Sequence, residues 1–297
     1  MKKMKKIIYL IFAIIFFSCA AFLKTDEKLI NYVDPFIGSG GHGHVFVGAN
    51  VPFGGVQVGP TNFNKGWDWS SSYHHTDSIV KGFCHINVSG TGMSDLGELT
   101  IMPATGELKT GAGTQENHMA GYSSLYRKNK EVATAGYYKV HLERYDIDVE
   151  LTATERVGLH NYIFPAAEKS RIIIDLGEGS ADRPTETYIK KVNDTLFEGH
   201  RFSTGWARDQ REYFSLVISK PVSDFIIYDR HKKFKGIERK GDYVKGFLEF
   251  STKKDEKIMV KMGISTVSSK NALENMMIEL PHCCLLYTSD AADDTRS

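Results

Sequence analysis

Short segments in which apolar and polar residues alternate fill the chain from Leu29 to Ser265, and they limit the fold more than any other sequence feature. Tyr138–Glu143 and Ile147–Thr152 both alternate, and the Arg144–Asp146 segment between them suits a turn. Strands place every second side chain on one face, so the pattern predicts an all-β chain, a large antiparallel β-sandwich in which each sheet buries one face. The other predicted strands are Gly158–Phe164, Arg171–Leu176, Thr187–Val192, Thr195–Phe202, Glu212–Ser219, Asp224–Asp229, Val244–Thr252 and Lys257–Ile264.

One segment after the predicted strands has helical spacing. Its apolar residues recur at i, i+3, i+4 and i+7, on one helix face: Leu273, Met276, Met277 and Leu280. Asn271 followed by Glu274 is typical of a capping-box-like helix start. We therefore expect a β-sandwich domain over residues 29–267 and the beginning of a helical linker over residues 268–282.

The N-terminus predicts export from the cytoplasm. Four lysines precede an apolar run from Ile7 to Phe17, which is typical of a secretory signal and short for a membrane-spanning helix. A small residue and then Cys19 follow the run, as in a bacterial lipobox, so we expect Cys19 to be lipidated after cleavage of residues 1–19. The alternatives are an ordinary signal peptide or an uncleaved anchor. The prediction is a lipid-anchored protein of a Gram-negative cell envelope, periplasmic or on the outer-membrane surface.

The last fifteen residues, 283–297, differ from the rest of the chain. They have no clear period, and we interpret them as sequencing-adaptor read-through, with a genuine acidic tail as the alternative. Of the four cysteines, Cys84 alone lies within the predicted sandwich, which predicts neither a disulfide framework nor a Cys-X-X-Cys metal site. The net charge of +1 gives no indication of a nucleic-acid partner.

Histidine and tryptophan are concentrated between residues 42 and 85, in a segment where glycine recurs throughout. Five of the eleven histidines lie here, namely His42, His44, His74, His75 and His85, together with Trp67 and Trp69. Four interpretations remain open: zinc ligands, a nucleotide-binding Gly-rich loop, a sugar site, or ordinary core residues. Zinc lacks a supporting spacing, and a nucleotide loop lacks its strand–turn–helix context. Flat aromatic faces beside Asp68 and His74 suit a sugar ring, which presents C–H faces and hydroxyls together.

Six motifs occur in one order along this segment. They are Tyr32-Val-Asp-Pro-Phe-Ile-Gly-Ser-Gly-Gly-His-Gly-His44, Val51-Pro-Phe-Gly54, Gly66-Trp-Asp-Trp69, Tyr73-His74, Gly82-Phe-Cys-His85 and Ser89-Gly-Thr-Gly-Met-Ser-Asp-Leu-Gly97. Together they closely resemble the N-terminal domain of glycoside hydrolase family 92, the calcium-dependent exo-acting α-mannosidases, over about Asn31 to Pro281.

The resemblance implies a β-sandwich joined to a C-terminal barrel of helical hairpins, with the active site between the two domains. It implies inverting hydrolysis of α-mannosides, commonly α-1,2-linked, by a Glu acid and Asp bases, with Ca²⁺ bound to sugar hydroxyls. The catalytic carboxylates and most calcium ligands of the family lie in the helical domain. We therefore expect this chain to hold no catalytic residue and no metal ligand, and to need that missing domain for activity.

The resemblance also implies which residues of the β-sandwich contribute to the sugar pocket. The substrate-binding residues that it implies are Trp67, Asp68, Trp69, Tyr73, His74, Ser89, Gly90, Thr91, Gly92 and Asp95. The partners would be mannose-containing glycans, and the membrane would be contacted through the lipid anchor only. The prediction is thus the N-terminal fragment of an exo-α-mannosidase, itself inactive. The alternatives are a non-catalytic carbohydrate-binding lipoprotein and a structural or metal-binding envelope protein.

Overall fold

The computed structural model describes residues 29–281. The predicted signal with Cys19 and the tail at residues 283–297 lie outside the described residues, so those predictions stay untested. The chain divides into two units, Met1–Val33 and Asp34–Ser297. In the first unit, Leu29–Tyr32 forms a 3-10 turn. All features below belong to the second unit.

The described part of the second unit contains eighteen strands and one α-helix. The first nine strands are β1 (Gly59–Thr61), β2 (Ile79–Val80), β3 (Gly82–Cys84), β4 (Thr100–Thr105), β5 (Ser124–Leu125), β6 (Val132–Thr134), β7 (Tyr137–Leu142), β8 (Ile147–Ala153) and β9 (Val157–Phe164). The remaining elements are β10 (Ala167–Asp175), β11 (Arg183–Lys191), β12 (Leu196–Thr204), β13 (Gln210–Ile218), β14 (Asp224–Asp229), β15 (Lys232–Phe234), β16 (Glu238–Gly241), β17 (Val244–Thr252), β18 (Glu256–Ser265) and helix α1 (Ser269–Glu279).

Two large antiparallel sheets contain most of these strands, which confirms the predicted all-β sandwich. The larger sheet has the order β16-β11-β12-β13-β18-β9-β8-β7-β6, and the smaller has the order β1-β3-β4-β10-β17-β14-β15. A separate ribbon pairs β2 with β5. Every strand pair is antiparallel, as in the register of Tyr137 opposite Thr152 in the β7–β8 hairpin.

The alternation in the sequence corresponds to the burial of side chains. In β7, Tyr138, Val140 and Leu142 are buried while the residues between them are half-exposed. The two sheets share one hydrophobic cluster, and ring contacts cross between them. The Phe164 ring of the larger sheet meets the Phe250 ring of the smaller sheet edge-on, with ring centroids 5.6 Å apart. Interlocking aromatic side chains of this kind fill the space between two sheets.

Helix α1 packs on the larger sheet, but its start and its buried face differ from the predictions. The helix begins at Ser269, and Ser268 is the N-cap, whose hydroxyl accepts the backbone N–H of Asn271. A serine hydroxyl caps the free N–H groups of the first turn well, so Asn271 lies inside the helix. Met276 is buried as expected, whereas Met277 is 60% exposed.

The face of α1 that packs on the sheet is made by small and long apolar residues at a spacing of four. Ala272, Met276 and Leu280 are buried, and the last two pack against Val157 and Leu159 of β9. The outward face at the start of β9 is therefore covered by α1, while the inward face of the same strand lines the sandwich core. Across residues 29–281, no helix has the length and apolarity that a membrane crossing needs.

Candidate functional site

The glycine-rich stretch between residues 36 and 99 forms mostly loops, and one of them is closed at its base. Ile86 and Glu98 form an isolated antiparallel bridge, which the Gly97 N–H strengthens by donating to the Ile86 carbonyl at 2.8 Å. The residues between them make a loop whose exposed part begins at Ser89. We call Ser89–Asp95 the site loop. Its ends are held by the sheet, so its position is fixed by the core.

An exposed tryptophan lies against the site loop. The Trp67 side chain is 57% exposed, and its indole N–H donates to the Gly92 carbonyl at 2.6 Å. The His44 ring meets it edge-on at 4.2 Å between centroids, and the His42 ring lies tilted at 5.2 Å. We call His42, His44, Trp67 and Asp68 the Trp67 cluster. The indole is held at its edges and remains largely open to solvent, which suits a stacking surface.

Two glycines are required for this arrangement. A Cβ atom at Gly92 would lie 2.6 Å from the indole nitrogen of Trp67, so any side chain there would displace the ring. Gly66, immediately before Trp67, has a φ of +115°, a backbone conformation that residues other than glycine rarely adopt. The glycines of the Gly66-Trp-Asp-Trp69 and Ser89-Gly-Thr-Gly92 motifs thus have a direct physical role beside the tryptophan.

Asp68 supplies the negative charge of the Trp67 cluster. The His42 ring Nδ1 lies 2.6 Å from the Asp68 carboxylate, and this hydrogen bond lowers the pKa of Asp68 from its ordinary value. His44 Nε2 lies 3.8 Å from the same carboxylate oxygen, and it is buried without a hydrogen-bond partner among the described residues. The cluster therefore combines an ionised acceptor, two imidazoles and an open aromatic face.

Hydrogen bonds to Phe46 and His44 hold the start of the site loop beside the Trp67 cluster. The Ser89 hydroxyl accepts the Phe46 N–H at 3.1 Å, and the Gly90 N–H donates to the His44 carbonyl at 2.7 Å. Thr91 is exposed. The structure thus brings five of the predicted residues together: Trp67, Asp68, Ser89, Gly90 and Gly92.

Trp69 and His74 lie in a different setting from Trp67. The two rings stack at 4.3 Å between centroids, and the Trp69 indole N–H donates to the Asp77 carboxylate at 2.9 Å. The Lys65 ammonium lies over the Trp69 ring, and the His74 ring is itself buried. Both residues therefore support the segment that carries Trp67 and offer little free surface to a ligand.

The structure places Tyr73 in the interior. Its side chain is 1% exposed, and its hydroxyl donates to the Glu131 carboxylate at 3.1 Å. The Lys128 ammonium donates to the Tyr73 hydroxyl at 2.7 Å and lies over the ring. Burial raises the pKa of this phenol well above its ordinary value. Tyr73 is not brought together with Trp67, since no face of its ring is open.

Asp95 lies at the far end of the site loop and holds a neighbouring hairpin. Its carboxylate accepts the backbone N–H of Trp206 at 3.2 Å and the side-chain amide of Gln210 at 3.0 Å. Trp206, at the tip between β12 and β13, is 75% exposed. The sequence interpretation missed this residue because it stands alone, outside the histidine-rich segment. An isolated tryptophan in the polar run Gly205–Gln210 was the available signal.

A buried histidine centre lies under the base of the site loop, formed by His85, His160 and Tyr162. The Nε2 atoms of the two histidines are 2.9 Å apart, and the Tyr162 hydroxyl lies 2.8 Å from His160 Nδ1. His85 Nδ1 faces the Leu99 carbonyl at 2.7 Å, so it must carry the proton. Burial lowers the pKa of His85 to about 4 and that of His160 well below its ordinary value.

A second buried polar group, the arginine centre, consists of Glu98, Asp182 and Arg201. One guanidinium nitrogen of Arg201 lies 2.7 Å from Glu98 and 2.5 Å from Asp182. Burial raises the pKa of Glu98 to about 8, because one arginine cannot neutralise two desolvated carboxylates. The Ser203 hydroxyl connects this centre to the hairpin, lying 2.8 Å from Glu98 and 2.9 Å from Gln210.

The described residues do not fit a calcium site built from side-chain carboxylates. Within residues 29–281, no group of three or more His, Cys, Asp or Glu side chains is arranged to hold a metal ion. This applies also to the zinc interpretation, since His42 and His44 point at Asp68 without a further ligand.

Comparison with known proteins gives one family. Residues 32–265 match the sequence profile of one family, the glycosyl hydrolase family 92 N-terminal domain. An uncharacterized secreted glycosidase of Arthroderma benhamiae is 26% identical over 293 residues, which cover 86% of this chain and 36% of that protein.

Solved structures agree with this match. A family 92 α-mannosidase of Bacteroides thetaiotaomicron in complex with mannoimidazole is 32% identical, with a TM-score of 0.87, over 90% of this chain and 36% of that chain. An inverting mannosidase of the same family and organism is 22% identical with a TM-score of 0.76, over 90% of this chain and 35% of that chain, which supports the fold alone. The chain thus spans about a third of the length of these relatives.

Proposed function

Because the chain belongs to glycoside hydrolase family 92, through its N-terminal domain at residues 32–265, we propose that it is the sugar-holding part of an exo-acting, inverting α-mannosidase. The observation that carries this proposal is the exposed indole of Trp67, held edge-on by the Gly92 carbonyl and His44 beside an ionised Asp68. The C–H face of a terminal mannose would stack on the indole, and its hydroxyls would donate to Asp68.

The bond-breaking groups come from outside this domain in our proposal. Inverting hydrolysis needs an acid and a base carboxyl about 6.5–9.5 Å apart, with a water between the base and the sugar. The relatives are nearly three times as long as the segment that this chain matches, which leaves ample protein for such a pair. Calcium, which the family resemblance implies, would also act in that remaining part of the enzyme.

A binding experiment on the 297-residue chain tests the role of Trp67. Isothermal titration calorimetry with α-1,2-mannobiose should show weak binding that Trp67→Ala reduces about tenfold, since aromatic stacking contributes up to about 1.5 kcal/mol. Gly92→Ala should have a similar effect, because a methyl group there displaces the indole.

Matched variants separate binding from general damage. Phe53 is an aromatic residue that is fully exposed and lies outside the Trp67 cluster, so Phe53→Ala should leave the affinity unchanged. Gly111→Ala adds a methyl group in open space and serves as the control for Gly92→Ala. Equal affinities of the wild type and of Trp67→Ala would refute the role of Trp67.

Activity is tested separately. We expect the chain to release no mannose from α-1,2-mannobiose, with or without Ca²⁺, in an assay that follows mannose by a coupled enzyme. Steady hydrolysis by this chain would show that the catalytic carboxylates lie within it, contrary to the proposal.

We further propose that the protein is exported and anchored through Cys19. The Arthroderma relative is described as a secreted glycosidase, which supports action outside the cytoplasm. Expression in a Gram-negative host with radiolabelled palmitate should label the wild-type protein and leave Cys19→Ala unlabelled. Label in both proteins, or in neither, would contradict anchoring at Cys19.

A further inference from the structure

A second concave surface lies on the other side of the site loop. The β12–β13 hairpin tip and the site loop enclose a pocket of about 710 Å³, within the size range of small-molecule sites. We call it the Trp206 pocket. The residues that matter for its chemistry are Thr91, Met93, Asp95, Trp206, Arg211 and Glu212.

Trp206 offers this pocket an open aromatic face. Its backbone is held by Asp95, and a Cβ atom at Gly205 would lie 2.2 Å from the same carboxylate, so the tip closes tightly on the site loop. The indole itself makes no ring contact and no hydrogen bond with any described residue, and the side chain is 75% exposed. The backbone is therefore fixed while the ring is available to a ligand.

Glu212 offers a hydrogen-bonding group that nothing in the described protein satisfies. Its Oε2 atom is buried, and it has no hydrogen-bond partner among residues 29–281. The side chain lines both the Trp206 pocket and an adjoining hollow of about 390 Å³. Burial raises the pKa of Glu212 to about 7. An unpaired carboxyl oxygen at a pocket wall is satisfied when a bound hydroxyl contacts it.

The pocket is separate from the Trp67 cluster. The Gly92 carbonyl of the site loop faces Trp67, whereas Thr91, Met93 and Asp95 of the same loop line the pocket. Neither Trp67 nor Asp68 is among the pocket residues. One loop thus forms a wall between two surfaces, each of which has one exposed tryptophan and at least one carboxylate.

We propose that the Trp206 pocket is a second glycan-binding site, in which a hexose unit stacks on Trp206 and donates a hydroxyl hydrogen bond to Glu212. The choice of a sugar rests on the proposed function, because the domain belongs to a glycosidase family. A concave wall that combines an open indole with Asp95, Glu212 and Arg211 provides the mixture that a sugar ring requires. A protein partner would bury the same indole, and it is an outcome of the test.

The three tryptophans make the test direct. The chain contains only Trp67, Trp69 and Trp206, so a nitrogen-15 labelled sample gives three indole N–H signals. Each is assigned by its Trp→Phe variant. On titration with α-1,2-linked mannotriose we expect the Trp206 and Trp67 signals to move, and the Trp69 signal to stay. Trp206→Ala should weaken the binding at the pocket about tenfold and leave the response of Trp67 unchanged.

The outcomes separate the two proposals. If Trp67 responds and Trp206 does not, the second site is refuted and the proposed function stands. If only the Trp206 signal responds, the second site stands and the proposed role of Trp67 is refuted. If neither signal responds, both proposals are refuted. A Trp206 signal that moves with protein concentration in the absence of sugar would show that the pocket binds a second copy of the chain, and it would overturn the glycan proposal.

A second variant keeps the assignment of Glu212 falsifiable. Glu212→Gln should weaken the response of Trp206 several-fold, whereas Glu168→Gln, an exposed glutamate on β10, should leave it unchanged. An unchanged response in Glu212→Gln would remove Glu212 from the site.

Discussion

The histidine centre and the arginine centre are adjacent, and each places polar side chains in the interior. The first does so with neutral side chains and the second with charged ones. The His85 N–H donates to the Glu98 carbonyl at 3.0 Å, so one hydrogen bond joins the two backbones. The histidine centre stays neutral, because each ring nitrogen is used in a directed chain from Tyr162 to the Leu99 carbonyl. The arginine centre contains charged side chains, with one guanidinium between two carboxyls.

The difference predicts opposite responses to pH. The pKa of both histidines is lowered, so below pH 6.5 the unfolded chain binds more protons and stability falls as the pH decreases toward 4. The pKa of Glu98 is raised to about 8, so between 4.5 and 8 the folded protein holds the extra proton and stability falls as the pH increases. Glu212, with its pKa raised to about 7, acts in the same direction as Glu98.

The largest effect should come from removing the charge of the arginine centre. Arg201→Met leaves Glu98 and Asp182 buried together without a cation, which should lower the free energy of unfolding by about 3–5 kcal/mol. Urea denaturation at pH 7 measures it. Arg183→Met, at an exposed arginine on β11, should change stability by less than about 0.5 kcal/mol. A loss at Arg201 no larger than the control would mean that the guanidinium does not stabilise the two buried carboxyls.

A smaller effect separates the two centres by their pH profiles. In the wild type the histidines and the glutamates oppose each other between pH 4.5 and 6.5, so stability should change little there. Glu98→Gln removes one of the groups whose titration opposes that of the histidines. Between pH 4.5 and 8, the slope of its free energy of unfolding against pH should therefore differ from the wild-type slope by about 1.4 kcal/mol per pH unit.

Urea midpoints measured every half pH unit would give the two profiles. Glu168→Gln, at an exposed site, should run parallel to the wild type. A Glu98→Gln profile that also runs parallel would contradict the raised pKa of Glu98.

The smallest effect tests the direction of the histidine chain. Tyr162→Phe removes the hydroxyl that donates to His160 Nδ1 and leaves this buried nitrogen unsatisfied, at a cost of about 1–3 kcal/mol. Tyr243→Phe is the control, because the Tyr243 hydroxyl has no hydrogen-bond partner in the described part of the chain. Chemical denaturation compares them, and equal stabilities would show that the hydroxyl does not orient the histidines.

The sequence predicted most of the longer strands and missed the short ones. The predicted ranges Asp224–Asp229 and Val244–Thr252 coincide with β14 and β17, because each is a run rich in β-branched and aromatic residues that is bounded by turn-forming residues. β1 and β3 are three residues long and contain glycine, and β4 contains Pro103. Their strand character comes from pairing in the sheet, which local sequence does not encode.

The site was predictable as a segment but not residue by residue. Trp67 and Trp69 are two positions apart in nearly identical surroundings, and the sequence could not rank them. Their exposure is decided by distant partners, since the Trp67 indole bonds Gly92 while the Trp69 indole bonds Asp77. Tyr73 likewise looked like a binding residue until Glu131, far along the chain, was seen to accept its hydroxyl.

The bridge at the base of the site loop should allow the loop to vary in sequence and length. Since the Ile86–Glu98 bridge fixes both ends, insertions or exchanges between them alter the surface without unravelling the sheets. Doubling the length of a flexible loop adds only about 0.6 kcal/mol of closure entropy. Exchanging the loop between relatives should therefore change the surfaces beside Trp67 and Trp206 while the two sheets beneath keep their structure.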